Sequence, residues 1–318
     1  MVQSRGLGDV YKRQILSLKD FREDQRAFSN KLGENFREWG FCGLKDHGID
    51  TDLLNDTQEL FKEFFDLPDD FKKKFFKPSL HGARGYTPFK TETAKDSLIA
   101  DLKEFWHVGR ELSQDDPYRK WMPENIDIVE IDQFKEKTNS LFFQFDQLGN
   151  ILLEAIAIYL DLSPDYFHEI TNKGNSVMRV IHYPPIKYHE KGERAEAHED
   201  INLITLLIGG QQAGLEILSK DKKWFRASVS NNVIICNIGD MLQRLTNNFL
   251  KSTTHRVRAI GSEMASSRYS IPFFVHPNPD WFIKTLSNKI DENNPNLYPE
   301  GIYAEDFLQE RLKEIKLM

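Results

Sequence analysis

The chain has 318 residues, 40% of them hydrophobic and 29% charged, with a net charge of −7. That length supports a sizeable core in one large domain or two small ones, and the acidic balance disfavours a nucleic-acid backbone as partner. Two cysteines, Cys42 and Cys236, are too few for a disulfide framework, no uninterrupted apolar run reaches the roughly 18 residues of a membrane span, and no start segment has the form of a signal peptide. The expectation is a soluble cytoplasmic protein that meets neither nucleic acid nor membrane, its oligomeric state open.

The opening "MVQSRGLGDVYKRQ" has no periodicity, and its "GLGDVYKRQ" is similar to translated adapter sequence in environmental assemblies. Residues 1–14 are therefore set aside as a leader, and residues 15–318 are read as one domain. From Leu18 to Trp39, apolar residues recur every three to four positions, which predicts one amphipathic helix. "GFCGL" reads as a short strand. Thr51 is placed to cap a second helix carrying Leu54, Leu60, Phe61, Phe64 and Phe65. Pro68 ends it and opens "PDDFKKKFF", a short helix with a solvated basic face. "HGARGYTPF" is a loop and "DLKEFWHVG" a strand. A long helix follows through Leu141, Phe145, Leu148, Leu152, Ile156 and Tyr159.

Beyond it, short runs rich in Val, Ile, Leu and Phe alternate with turns: "SVMRVIHY", "INLITLLI", "GLEILS", "WFRASV", "NVIICNI", "THRVRAI" and "RYSIPFFV". That is the rhythm of a sandwich or jelly roll. The end, "YAEDFLQERLKEI", is helical. The fold class is α+β: a mainly helical part over 15–175, a β-sandwich core over 176–280, and an extension over 281–318.

In "AHEDINLITLLIGG", His198 and Asp200 are two apart, just ahead of a run read as a buried strand from Ile201. If the segment is extended they share a face and offer one metal an imidazole nitrogen and a carboxylate oxygen. Nine histidines and 49 acidic residues give about one or two such triplets by chance, and the chain has one, so this pair alone decides nothing. His255, opening the β-rich "HRVRAI", completes two histidines and a carboxylate, the facial triad of non-haem Fe(II) sites with open positions. Taken alone, His255 reads equally well as a strand-edge residue.

Arg268 and Ser270 in "SRYSIPFF" are again two apart, a guanidinium fork beside a hydroxyl that suits a buried carboxylate. The plainer alternative is an edge-strand arginine, against which Ile271, Phe273 and Phe274 argue. Tyr183, on the alternation Val177, Arg179, Ile181, Tyr183, either joins that carboxylate or is a core tyrosine.

The order "RVIHYPP", "AHED", "GLEI", "NVIICNIGDMLQRLTNN", "KSTTHRV", "RYSIPFFVHPNPD" resembles the isopenicillin N synthase-like family of Fe(II)/2-oxoglutarate-dependent oxygenases, over nearly all the chain after residue 15. The resemblance implies a double-stranded β-helix, or jelly-roll, core flanked by N-terminal helices and a C-terminal helix. It implies His198, Asp200 and His255 as iron ligands, Arg268 and Ser270 as the clamp on the distal carboxylate of 2-oxoglutarate, and Tyr183 as an assistant. Many plant members have Asn where this chain has Ile181. The implied reaction uses Fe(II), 2-oxoglutarate and O2, releases succinate and carbon dioxide, and oxidises a small organic substrate, by default through hydroxylation.

Candidate substrate contacts are Arg84 and Tyr86 in the loop and Phe105 and His107, which share one face of their strand opposite Trp106. A loop arginine holding its own fold together is an equal reading of Arg84. His182 and His189 flank the site without a role in the pattern. "KYHEKGERAEA" reads as a solvated loop of the kind that closes as a lid. The competing functions are a 2-oxoglutarate-independent oxidase of the same family, a metal-binding jelly roll without turnover, and a zinc hydrolase, in which the Arg-x-Ser pair lacks a purpose.

Overall fold

A computed structural model describes residues 15–94, 97–187, 190–209, 214–227 and 232–314; the leader 1–14 and His189 lie outside them. The chain opens with β1 (Ile15–Ser17), α1 (Leu18–Glu23), α2 (Gln25–Trp39), β2 (Phe41–Lys45), α3 (Thr51–Asp66), α4 (Asp69–Lys72), β3 (Gly85–Thr87) and β4 (Glu104–Gly109). The long helix α5 (Phe134–Tyr159) and the short α6 (His168–Thr171) lead into β5 (Val177–Tyr183), β6 (Ala195–His198), β7 (Ile204–Gly209), β8 (Leu215–Leu218), β9 (Trp224–Arg226) and β10 (Ile234–Ile238). Then come α7 (Asp240–Leu245), β11 (His255–Val257), β12 (Arg268–Val275), β13 (Phe282–Ile283), β14 (Ile302–Tyr303) and α8 (Ala304–Glu314).

Three local expectations change. The amphipathic stretch 18–39 is two helices, because Asp24 leaves helical geometry and turns its carboxylate to the Ala27 N–H at 2.9 Å, capping α2. The cap of α3 is Asp50, which accepts from the N–H groups of Asp52 and Leu53, and Thr51 is already helical. The basic face of "FKKKFF" is not wholly solvated: Lys72 is buried, its ammonium 2.9 Å from Glu104 and 3.1 Å from the Phe65 carbonyl.

Strands β13 and β14 pair with each other, and the other twelve form an eight-stranded sheet, in the order β1-β2-β10-β7-β12-β5-β4-β3, and a four-stranded one, β6-β11-β8-β9. Together they make the jelly-roll core. Strands β1 to β4 precede residue 176, so the larger sheet reaches across the expected boundary between helical part and core.

The period of two along each strand divides this sheet. One face carries Leu44, Trp106, Met178, Val180, Leu206, Cys236, Ile271 and Phe273 into a core shared with α2, α3 and α5. Phe145 of α5 stacks on Phe273 at 5.3 Å, and Trp106 sits edge-on to Phe64 and Phe134. By length and composition α5 is apolar enough to cross a membrane, yet its Leu141, Phe145, Leu148, Leu152 and Ile156 are buried in this core. The opposite face carries Phe41, Phe105, His107, Arg179, Tyr183, Thr205, Asn237, Arg268 and Ser270.

Phe273→Ala removes a ring held between two helical phenylalanines. Urea unfolding should show a loss of about 3–5 kcal/mol; a loss under about 1 kcal/mol would mean that the helix–sheet contact is not a principal source of stability.

Candidate metal and co-substrate site

Strand β6 ends at His198, the chain crosses between the sheets through residues 199–203, and β7 begins only at Ile204. Asp200 thus stands in the crossing and not at the head of a strand from Ile201. Gly239 lets the crossing pack closely, since a Cβ there would lie 2.2 Å from the Asn202 carbonyl oxygen. His255 opens β11 directly opposite His198 in antiparallel register. The ligand atoms of His198, Asp200 and His255 all lie within 4.8 Å of one another. Asp200 Oδ1 is 3.9 Å from Nε2 of His198 and 3.8 Å from Nε2 of His255.

Each of the three turns one atom to the centre because its other atom is engaged. His198 Nδ1 is 2.7 Å from the Glu196 carbonyl oxygen, and His255 Nδ1 is 3.1 Å from that of Thr253. Donation to a carbonyl puts the proton on Nδ1 and leaves the Nε2 lone pair for a metal. Asp200 Oδ2 accepts from the Thr205 hydroxyl at 2.6 Å and from the Asn237 amide at 2.7 Å, leaving Oδ1 clear. Asn202 in turn donates to the Thr205 oxygen at 3.0 Å. Burial works to raise the Asp200 carboxyl, but the facing imidazoles of His255 and His198 and these two hydrogen bonds outweigh it and hold it below its ordinary value. Burial, and then the His255 charge, lower His198. Two imidazole Nε2 atoms and a carboxylate oxygen are donors that suit a divalent cation, so the donor set fits Fe(II).

Arg268 and Ser270 do share a face: Nη1 of the arginine donates to the Ser270 hydroxyl at 3.1 Å. The guanidinium is buried, 5.0 Å from the Tyr183 ring, and its Nε meets no partner. No carboxylate pairs with it among the described residues, which fits the distal carboxylate of a 2-oxo diacid. Ile181 clusters with Phe105, Tyr183, Ala195 and Val257, so the position lacks a polar contact.

Beside His198, Asp200 and His255 lies a cavity of about 760 Å³, whose walls include the first two of them with Arg84, His107, Arg179 and His276. Two of the four substrate candidates are not on it. Register sends Tyr86 to the helix side, since it pairs with Trp106; its ring meets Phe64 and its hydroxyl donates to Glu104 at 2.5 Å. Phe105 is on the inner face but covered, with the Arg179 guanidinium 4.1 Å above it. His107 and Arg84 do line the cavity. Arg84 lies flat on Gly109, where a Cβ would stand 1.9 Å from the guanidinium carbon. Burial lowers it to about 10. His182 faces the helix side, bound to Glu104 at 2.8 Å and stacked on Tyr269.

The cavity also holds residues that sequence reasoning passed over. Arg179 Nε donates to His107 Nε2 at 2.6 Å, so His107 carries its proton on Nδ1, toward the Gly82 carbonyl at 2.6 Å. Burial, then the Arg179 charge, keep it neutral. Arg179 and Lys103 share Glu92, at 3.1 and 2.7 Å. Burial lowers His276 to about 4. On α8, Glu305, Leu308, Gln309 and Leu312 face the cavity, so the C-terminal helix joins the N-terminal part in walling it. The alternation through Arg179 was visible in sequence; the partners of Asp200 were not, because nothing local ties Thr205 and Asn237 to it.

His198→Ala should abolish Fe(II) binding, read by anaerobic calorimetry. Thr205→Val with Asn237→Leu should weaken it about 10–100-fold; unchanged affinity in the double variant would mean that Oδ2 anchoring does not orient the ligand.

Two family models match the chain. One, for the N-terminal region of the non-haem dioxygenases of morphine synthesis, covers residues 14–127, and that of the 2OG-Fe(II) oxygenase superfamily covers 174–277. A 2-oxoglutarate-Fe(II) type oxidoreductase of Aspergillus fumigatus is 29% identical over 84% of this chain and 81% of its own. A crystallised 2OG-Fe(II) oxygenase family protein of Caulobacter crescentus is 44% identical, with a TM-score of 0.88 over 95% of this chain and 98% of that one. A full-length Neurospora crassa protein, crystallised with alpha-KG, is 28% identical, with a TM-score of 0.81 over 94% and 95%. The chain belongs to the isopenicillin N synthase-like family of 2-oxoglutarate- and Fe(II)-dependent oxygenases.

Proposed function

We propose that this enzyme hydroxylates a small polar molecule bearing a hydrogen-bond acceptor, held in the cavity beside His198 and Asp200. One observation carries the reading: the same cavity joins those ligands to a wall of Arg84, Arg179 and His107. Arg179 is stacked between Phe105 and Phe274, 4.1 and 5.4 Å from the two rings, which fixes its guanidinium plane. A planar, polar ring is a natural occupant. The Neurospora crassa protein, 26% identical in a second crystal structure, was crystallised there with alpha-KG and thymine, which supports a substrate of that size.

In this reading His198, Asp200 and His255 would hold Fe(II), which would supply the oxidising chemistry with 2-oxoglutarate and O2 as co-substrates. Arg268 and Ser270 fix the far carboxylate, with the Tyr183 ring against the guanidinium. Neutral His107, anchored at Gly82 and locked by Arg179, and buried neutral His276 orient substrate without adding charge.

The test supplies Fe(II), 2-oxoglutarate and O2 with a panel of small heterocycles and acids. Succinate should form in step with a product one oxygen heavier. Arg268→Leu should raise half-saturation by 2-oxoglutarate about 10–100-fold with iron affinity unchanged, and Arg179→Met should raise the substrate KM. Product formation indifferent to 2-oxoglutarate would replace this reading with the oxidase type.

A further inference from the structure

The segment "KYHEKGERAEA", read from sequence as a solvated loop, contains an arginine that is not solvated. Arg194 is 1% exposed. Its Nη2 donates to the carbonyl oxygens of Glu263, at 2.9 Å, and Ser266, at 2.5 Å. Ser266 lies two residues before Arg268, so the guanidinium is tied to the chain that leads into the clamp. Its Nε is buried and meets no partner, the same condition as Arg268 Nε.

The acids beside it are paired elsewhere, and the Glu263 carboxylate, which favours its charge, does not outweigh burial and Arg268. The Glu263 carboxylate is bound to Arg226 at 2.5 Å and to the Ile260 N–H at 3.0 Å. Glu193 pairs with Arg258 at 3.1 Å. No carboxylate pairs with Arg194 among the described residues. Two buried guanidiniums near one another, each with an orphaned Nε, make an arrangement that folding alone disfavours. Burial, and then the Arg268 charge, weigh against its protonated form. A carboxylate brought by a ligand is the compensation that both lack.

We propose that Arg194 is a second cation of the co-substrate pocket, one that sets its preference for a 2-oxo diacid over a 2-oxo monoacid. The proposal rests on the 2-oxoglutarate reading of Arg268 and Ser270. Arg194 acts through its charge on the distal carboxylate and by holding Ser266, and hence the start of β12, in place. It takes no part at the iron.

The experiment is an anaerobic titration of the Fe(II)-loaded protein, following the visible charge-transfer band of a chelated 2-oxo acid. The two probes are 2-oxoglutarate and 2-oxovalerate, which keeps the chain length and loses the far carboxylate. The wild-type protein should bind 2-oxoglutarate more tightly. Arg194→Met should weaken 2-oxoglutarate about ten- to a hundredfold and leave 2-oxovalerate within twofold. Arg194→Lys should recover most of the loss. Arg194→Gln, which keeps a donor for the Ser266 carbonyl and drops the charge, should behave as Met does and serves if the Met variant fails to fold. Equal weakening of both acids, or none, in the charge-loss variants overturns the role of Arg194. A wild-type protein that binds iron and gives no band with either acid overturns the 2-oxoglutarate reading itself.

Discussion

The structure depends on one constraint: successive residues of a strand face opposite ways, and the eight-stranded sheet uses the two faces for different purposes. The outer face is filled mainly by aromatic and aliphatic groups against the helices, with Glu104 at its edge paired to His182 and to Lys72. The inner face carries the residues of the site. Because the strands pair in fixed register, a shift of one residue would send Arg268, Ser270 and Tyr183 into the helical core and bring Tyr269, Ile271 and His182 inward. Stacking of Phe145 on Phe273 and burial of Trp106 therefore do more than stabilise; they hold the chemical residues on the correct side.

The smaller sheet meets this arrangement at the crossing after His198. His198 at the end of one strand, Asp200 in the crossing and His255 at the start of the paired strand converge because the chain changes sheets there. The larger sheet then contributes Thr205 and Asn237, which hold Oδ2 of Asp200. Both sheets thus orient one carboxylate, and its free oxygen points where the two imidazole nitrogens meet. The buried arginines extend the same logic inward. Arg268, Arg194 and Arg84 are kept in place by a ring, backbone carbonyls or a glycine surface, with donors left over for ligands that carry negative charge or lone pairs.

Much of this was legible in the sequence, for a physical reason: period-two patterns survive without knowledge of the partner strand. Arg268 with Ser270, and Arg179 with Tyr183, could be placed on common faces from spacing alone. The choice of face for isolated strands was not legible. Tyr86 went to the helices because Gly85, and not Tyr86, lies opposite His107. Lys72 looked solvated because its partner, Glu104, is 32 residues away. Arg194 looked solvated because its neighbours in sequence are charged, while its actual partners are carbonyls some 70 residues on. The cap of α3 was misplaced by a single residue, since Asp50 and Thr51 both have the chemistry for the role.

Asp200 is arranged to present Oδ1 to a metal while Oδ2 stays bound to Thr205 and Asn237. Anomalous diffraction at the iron edge, on crystals loaded anaerobically with Fe(II), tests it most directly. The expected result is one iron peak bounded by Nε2 of His198, Nε2 of His255 and Oδ1 of Asp200, with Oδ2 still in its two hydrogen bonds. A peak ligated by His276, or a carboxylate turned so that Oδ2 leaves Thr205 and Asn237 for the iron, would contradict it.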